Sequence, residues 1–329
     1  MKRILLTTTS LILAAGVAHS EITFSGTAGV ALIDDNGASV VKTAVTAVAA
    51  SGTTAATDPV AAVARTTRDG MFFESYYDLD IKATAETDNG ITVSVGFDMG
   101  AGNKIDYNDD DKLEAQGVDV GDADVSVSYA GWTLAVDQNG IDNLFDDSQQ
   151  EDVSLSGTVG GMTVAFTTDQ ENSTNSYKIG GTFAGVAVTA TGTDNDDNSG
   201  SASKIAVSYA MGDLTLKGSV EDESLSTGAE DDTTVGLSYK MDALTFGYTS
   251  IKPGTSGSFG DEWDFSVAYA AGGVSASFAV DEADATTVIA EYALGNGATA
   301  FAAMHDKPAP SGGTNTDNDL VALGLTFAF

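Results

Sequence analysis

The side chains that most often carry out chemistry in enzymes are scarce in this chain. It contains no cysteine and two histidines, of which His305 lies beside Asp306. A histidine and a carboxylate are two of the three groups that a serine hydrolase needs. Adjacent residues on a β-strand point to opposite faces, however, so the backbone does not orient this pair. The sequence therefore predicts no enzyme, and a solvated histidine at the end of a strand is the plainer interpretation.

Charged residues at regular spacing form a second set of candidates. Five lysines fall on the polar side of alternating segments, opposite the apolar side: Lys82, Lys178, Lys204, Lys217 and Lys240. Three acids share the polar side of segment 71–87 with Lys82: Glu74, Asp78 and Asp80. If the segments are strands of a barrel, these side chains would line its water-filled interior and set its ion preference. The plainer interpretation is ordinary polar lining.

One acidic segment has the composition of a calcium loop. Residues 194–200 read D-N-D-D-N-S-G, with oxygen ligands at alternate positions. The twelfth position of such a loop would be Ile205 and not a bidentate acid, which excludes an EF-hand. Two interpretations stay open, namely weak Ca2+ binding at acidic loop tips and a solvated loop. The sequence predicts no cofactor beyond that weak ion and no fixed metal site.

The elements that must position these residues are clearest at the end of the chain. Residues 319–329 read D-L-V-A-L-G-L-T-F-A-F. Every second residue is apolar: Val321, Leu323, Leu325, Phe327 and Phe329. Strict alternation indicates a β-strand with one apolar face. In an outer-membrane β-barrel such a strand closes the sheet against the first one, and its apolar face meets lipid. The segment 22–32 alternates in the same way.

Beyond residue 70 the sequence repeats this pattern. Alternating segments of about eight to twelve residues are separated in turn by tight turns and by longer acidic loops, which is typical of a transmembrane β-barrel. The segments number 18 if each forms a full strand, and 16 if one weak hairpin is lost. We therefore predict an all-β, antiparallel barrel. Either strand number leaves a water-filled interior.

Five tyrosines end a segment just before a tight turn: Tyr129, Tyr209, Tyr239, Tyr269 and Tyr292. This spacing predicts an aromatic girdle on the short-turn side of the barrel. In outer-membrane barrels that side is periplasmic, so the long acidic loops would face outward. The segment 38–68 interrupts the rhythm, and we predict a long first external loop there.

The N-terminus has the order of a secretory signal. Lys2 and Arg3 precede a largely apolar run, and small residues follow at the two positions that a signal peptidase reads. We predict that residues 1–20 are removed and that residues 21–329 form a single barrel domain. The alternative, a buried N-terminal helix, does not explain this order of charge, apolar run and cleavage site.

Charge excludes one class of partner. The chain has 14 lysines and arginines against 48 acids, a net charge of −34. A field of this sign repels nucleic acid, so no nucleic-acid partner is expected. Without cysteine, a secreted chain must gain its stability from something other than disulfides, and a closed hydrogen-bonded ladder supplies it.

At this point the chain resembles the general porins of Gram-negative bacteria, most closely the alphaproteobacterial type. The resemblance rests on the start E-I-T-F-S-G at Glu21, on the terminal strand, and on the pattern F-S-V-A-Y-A-A-G-G-V-S-A-S-F at 265–278. It implies a homotrimer of 16-stranded barrels in the outer membrane, passing small hydrophilic solutes and ions.

The resemblance also implies a constriction. In that family the third external loop folds into the barrel and narrows the pore. The matching loop here is Gln138–Asp152, which is short and acidic, and its candidate residues are Asp142, Asp146, Asp147 and Glu151. We predict a passive diffusion channel with mild cation preference. The alternative is an acidic secreted surface protein or a calcium-dependent adhesive protein, which would not explain the terminal Phe329 or the tyrosines at the strand ends.

Overall fold

The computed structural model describes residues 19–35, 70–106, 114–117, 121, 123–146, 149–169, 173–195, 200–223, 231–252, 262–306 and 320–329. Within these residues the regular structure consists of β-strands. Among these residues no helix is long and apolar enough to cross a membrane.

Nineteen strands follow one another in the described part of the chain. Their bounds are β1 His19–Asp35, β2 Gly70–Glu86, β3 Thr92–Asp106, β4 Glu114–Gly117, β5 Asp124–Tyr129, β6 Trp132–Asp142, β7 Gln150–Val159, β8 Met162–Asp169, β9 Thr174–Phe183, β10 Val186–Asn195, β11 Gly200–Met211, β12 Leu214–Glu223, β13 Asp232–Met241, β14 Leu244–Lys252, β15 Glu262–Ala271, β16 Val274–Asp281, β17 Thr286–Gly295, β18 Ala298–Asp306 and β19 Leu320–Ala328.

Eighteen of these strands form one closed antiparallel ladder. Each pairs with its neighbours in the chain, except that β3 pairs directly with β5. The short β4 pairs only with the distal end of β3 and lies outside the ring. Closure is made by β1 and β19, which pair from Thr27 opposite Ala328 to Asp35 opposite Leu320. Because the ladder is closed, no barrel strand presents an open edge to lipid.

The short turns follow from glycine and from residues that tolerate positive φ. In the β5–β6 turn, Ala130 and Gly131 have φ of 51° and 83°. Two successive positive φ values match the twist of two-residue hairpin turns. The β17–β18 turn has the same pattern, with φ of 52° at Asn296 and 79° at Gly297.

The two faces of the wall differ as the alternation requires. Apolar side chains point outward and are exposed on this single chain, as Phe73, Leu155 and Val235 show. The five tyrosines predicted to form a girdle all lie beside short turns and are 40% to 57% exposed. Side chains at the intervening positions face inward. The outward apolar band and its aromatic border are what a lipid-facing wall requires.

The inner wall carries an apolar cluster as well as polar groups. Ala31, Ile33, Phe301, Ala303 and Ala322 are each at most 3% exposed and belong to β1, β18 and β19. They pack with Phe72, Ile289 and Leu320, which share their inward side. The barrel therefore has a small buried core on one side of its interior.

The structure settles the strand number and one boundary. The count of 18 made from the hairpins is confirmed, and the 16 implied by the family resemblance is wrong for this chain. The third strand, β3, continues to Asp106, where it pairs with β4. The predicted first external loop, 38–68, and most of the predicted signal peptide, up to residue 18, lie outside the described residues.

Candidate functional site

The register of the ladder places the predicted pore-lining residues on the inward side. On β2, Phe73 and Tyr77 are exposed and face outward. The candidate residues at alternating positions therefore face inward: Glu74, Asp78, Asp80 and Lys82.

The lysines of the opposite part of the barrel also face inward. Thr191 on β10 lies between Lys178 of β9 and Lys204 of β11, because it is directly opposite both in the ladder. Lys217 and Lys240 face inward by the same alternation on β12 and β13.

Acids gather on the inner wall of β2 and β3. Asp80 is directly opposite Asp98 in the ladder. Asn103 donates from Nδ2 to Glu74 Oε2 at 2.8 Å, and Glu74 is only 8% exposed. One oxygen of Asp78, Oδ1, is buried and accepts no hydrogen bond within the described part of the chain. Lys82 shares this wall, but acids outnumber it there, and like charges paired across strands repel one another, so the net charge of the wall is negative.

Lysines gather on the inner wall of β9 to β13. Lys204 forms an ion pair with Glu221, with 2.9 Å between Nζ and Oε2. Both side chains are partly exposed, at 40% and 21%. Lys217 lies between Ser208 and Gly236, so its neighbours in the ladder are small and neutral. Glu221 is also directly opposite Asp232 on β13, so this wall carries acids among its lysines and its positive charge is partly compensated.

The acidic and basic walls face each other across the lumen. Counted round the ring without β4, β12 is nine places from β2, which is half of the eighteen-stranded circumference. The acids of β2 and β3 therefore stand opposite the lysines of β12 and β13. Charges of opposite sign on opposite walls set up a field across the pathway of a solute.

The third external loop, between β6 and β7, leaves the wall and lies on the inner face of the barrel. The β6–β7 ladder is regular up to Val136 opposite Val153 and then shifts, resuming only at Ile141 opposite Glu151. The described part of the loop reaches β9 and β10. There the Leu144 N–H donates to Ser176 Oγ at 2.8 Å, and Asn143 Nδ2 donates to Thr193 Oγ1 at 3.2 Å.

The contact between loop and wall is polar and buried. Side chains no more than 3% exposed belong to the loop, to β7 and to the inner face of β8 to β10: Asn143, Glu151, Thr167, Asp169, Ser176 and Thr193. Thr167 and Ser176 share a short hydroxyl–hydroxyl hydrogen bond. Buried polar groups are stable only when hydrogen-bonded, and here hydroxyl, amide and carboxylate groups supply one another's partners.

The predicted constriction residues have different surroundings. Asp142 is exposed and pairs with Gln150 at the root of the loop. Asp146 is half-buried and accepts a hydrogen bond from Gln149 Nε2 at 3.3 Å. Asp147 lies outside the described residues. Glu151 is 0% exposed, so its carboxylate is held within the loop–wall contact.

Sequence reasoning missed two groups of residues. Asp98 lies on the polar side of its segment, and the alternation that identified Asp80 would also have identified it. Asn143, Ser176 and Thr193 carried no such signal, because small polar residues line every inward face. Only the fold of the loop onto β9 and β10 distinguishes them.

His305 does not form a catalytic pair with Asp306. Its Nδ1 is 2.9 Å from Thr287 Oγ1, on the neighbouring strand. Asp306 follows it at the end of β18 and pairs with Thr286. Among the described residues no group of three or more histidines and acids could hold a metal ion. Residues 196–199 of the acidic segment that resembles a calcium loop lie outside the described part of the chain, and Asp194 is exposed at the end of β10.

A sequence model for the family described as Gram-negative porin matches residues 7–329. No curated protein sequence matches the chain.

The fold is similar to that of solved structures of engineered variants of the porin from Rhodopseudomonas blastica. A variant with two substitutions has a TM-score of 0.52 and 18% identity, covering 94% of this chain and 100% of that one. A triple mutant of the same porin has a TM-score of 0.52 and 17% identity over the same shares of both chains. At such identities the likeness concerns the fold.

Proposed function

The chain belongs to the Gram-negative porin family, and we propose that it is a mildly cation-preferring channel whose lumen is narrowed by its third external loop. The family and the closed barrel identify an outer-membrane channel for passive diffusion. The observation that carries the proposed preference is the pair of opposed walls, acidic on β2 and β3 and basic on β9 to β13.

Passive diffusion follows from the two faces of the wall. The outward apolar band seals the barrel in lipid, whereas hydroxyl, amide and charged groups line the interior. An ion in such a pore keeps much of its hydration and exchanges the rest for polar wall groups. Solutes are then sorted by size and by charge without any source of energy.

Cation preference rests on the imbalance between the walls. Asp80 and Asp98 bring two like charges together, while the positive charge of Lys204 is partly cancelled by Glu221. The net potential along the pathway is therefore negative, as in pores lined by carboxylates. The acidic residues of the third loop, including Asp142 and Asp146, add to it.

Planar-bilayer recording of the protein purified from outer membranes tests both the open channel and its cation preference. Stepwise current increments are expected as channels insert, and a salt gradient should give a reversal potential of cation-favouring sign. A folded barrel without current would contradict the open channel. Current with an anion-favouring potential would contradict the preference alone.

We further propose that the channel is a homotrimer, that its signal peptide is cleaved after Ser20, and that it has neither enzymatic activity nor a required cofactor. Weak Ca2+ binding at the acidic external loops is part of this proposal. Native mass spectrometry in detergent tests the trimer, and N-terminal sequencing tests the cleavage site. Calorimetric titration with Ca2+ tests the ion, for which only weak, salt-sensitive heats are expected.

A further inference from the structure

One buried group of side chains joins the third loop to the inner wall. It consists of Asn143 in the loop, Glu151 at its C-terminal root, Ser176 on β9 and Thr193 on β10, and it is called the loop anchor below. All four are at most 3% exposed. β9 and β10 lie two and three places from β7 along the ladder, so the anchor spans a wide arc of wall.

Asn143 is the centre of the anchor. Its Nδ2 donates to Glu151 Oε1 at 2.6 Å and to Thr193 Oγ1 at 3.2 Å. Its Oδ1 accepts from the backbone N–H groups of Phe145 at 2.9 Å and Asp146 at 3.2 Å. Both hydrogens of the amide and its oxygen are thus in use. The same side chain shapes the turn of the loop and ties that turn to the wall.

This arrangement suits an amide and not an ionised carboxylate. Asparagine presents a donor to Glu151 and an acceptor to the loop backbone, and aspartate of the same size would present an acceptor to both. Two carboxylates at 2.6 Å in a buried site would repel each other strongly.

Glu151 depends on the anchor in turn. Its second oxygen, Oε2, accepts from Thr174 Oγ1 at 3.1 Å, so neutral donors reach both oxygens. A buried carboxylate that loses one such donor is no longer fully compensated for its desolvation. We therefore expect all contacts of the anchor to be lost together. Without Asn143, Glu151 Oε1 lacks a hydrogen-bond donor until the loop leaves the wall and water can reach the carboxylate.

We propose that Asn143 is the positioning residue that holds the third loop inside the barrel, and that the loop anchor thereby sets the width of the channel. The inference rests on the proposed function, because its readout is current through the pore. It assigns to Asn143 and Thr193 a role in solute exclusion even though neither carries charge. It also makes Glu151 a structural carboxylate and not a group facing the permeating ion.

The first experiment compares single-channel conductance of Asn143→Ala and Asn143→Asp with the unmodified protein. Losing several hydrogen bonds at once shifts the docked-to-released ratio of the loop by roughly tenfold or more. Both variants should show higher or noisier conductance, with Asn143→Asp at least as affected as Asn143→Ala. The control is Thr133→Val, which removes another inward hydroxyl, 2.8 Å from Ser128, away from the anchor. Conductance unchanged in both Asn143 variants would overturn the proposal.

A second experiment guards against variants that fold poorly. Because the chain has no cysteine, Asn143→Cys combined with Thr193→Cys places its only two thiols at the anchor, and mass spectrometry after oxidation establishes that they are joined. The oxidised protein should conduct like the unmodified one, and reduction should raise the conductance. Equal currents before and after reduction would overturn the proposal. An unmodified protein that gives no current would instead contradict the channel itself.

Discussion

The two charged walls of the lumen are built differently, although both rest on the same alternating strands. On β2 and β3, acids crowd together, and Asp80 and Asp98 are directly opposite each other. On β9 to β13, lysines are separated by threonine, serine or glycine, and Lys204 has an acidic partner in Glu221. Crowding costs stability through repulsion and strengthens the local potential. The proposed cation preference therefore depends on the wall that is destabilised by its own repulsion.

The largest expected effect comes from neutralising the crowded acids. In Asp80→Asn combined with Asp98→Asn, the reversal potential in a KCl gradient should move well toward zero, because the main source of negative potential is gone. The same variant should be more stable by roughly 0.2–1 kcal/mol, the usual effect of a like-charged pair in a ladder. Reversal potentials and denaturant midpoints measure the two effects. A variant with unchanged preference would show that the acidic wall does not act on the ion.

Ionic strength should have the next largest effect. The Debye length falls from about 10 Å at 0.1 M to about 3 Å at 1 M salt. Charges on opposite walls then no longer act together on an ion in the middle of the lumen. Cation preference measured at a fixed concentration ratio should decline steadily as both salt concentrations rise. A preference independent of salt would point to binding at close range in place of a field across the pore.

Neutralising the opposite wall should have a smaller effect of the other sign. In Lys217→Gln combined with Lys240→Gln, the cation preference should increase, because positive charge is removed from β12 and β13. The shift should be smaller than that of the acidic variant, since Lys240 lies at the turn end of β13, near the mouth. The reversal potential provides the comparison, and a shift toward anions would contradict the opposed walls.

The smallest effect is expected from Lys204→Gln. Its ion pair with Glu221 is partly exposed, at 40% and 21%, so its contribution to stability is at most about 1 kcal/mol. Loss of the lysine frees one acidic charge, and the cation preference should rise slightly, by less than in the Lys217 and Lys240 variant. The denaturant midpoint measures the effect on stability, and the reversal potential measures the effect on ion preference. A change in reversal potential larger than that of the Lys217→Gln/Lys240→Gln variant would contradict this prediction.

Much of the barrel could be predicted because its signal is local. The alternation of Leu323, Leu325 and Phe327 with small residues decides which face meets lipid, and a slip of one residue would reverse the whole strand. The same alternation placed Asp80 and Lys204 on the inward side. The strand number followed from counting hairpins, and here that count was a better guide than the family resemblance.

The loop anchor could not be predicted because it depends on contacts between distant strands. Asn143 meets Thr193 fifty residues further along the chain. Nothing in the local pattern marks Thr193 among the inward threonines of β10. The acidic composition of the loop suggested that Glu151 would face the ion, whereas the shift in the β6–β7 ladder turns this residue into the contact with the wall. Side-chain alternation predicts whether a residue faces lipid or the lumen, but it does not predict which other segment packs against that residue.

The measurement that tests the account most directly is the reversal potential of three proteins in one KCl gradient: the unmodified channel, the Asp80→Asn/Asp98→Asn variant and the Lys217→Gln/Lys240→Gln variant. The account predicts a cation-favouring potential for the unmodified channel, a value nearer zero for the acidic-wall variant and a stronger cation preference for the basic-wall variant. An anion-favouring unmodified channel, or a shift of both variants in the same direction, would contradict the opposed walls.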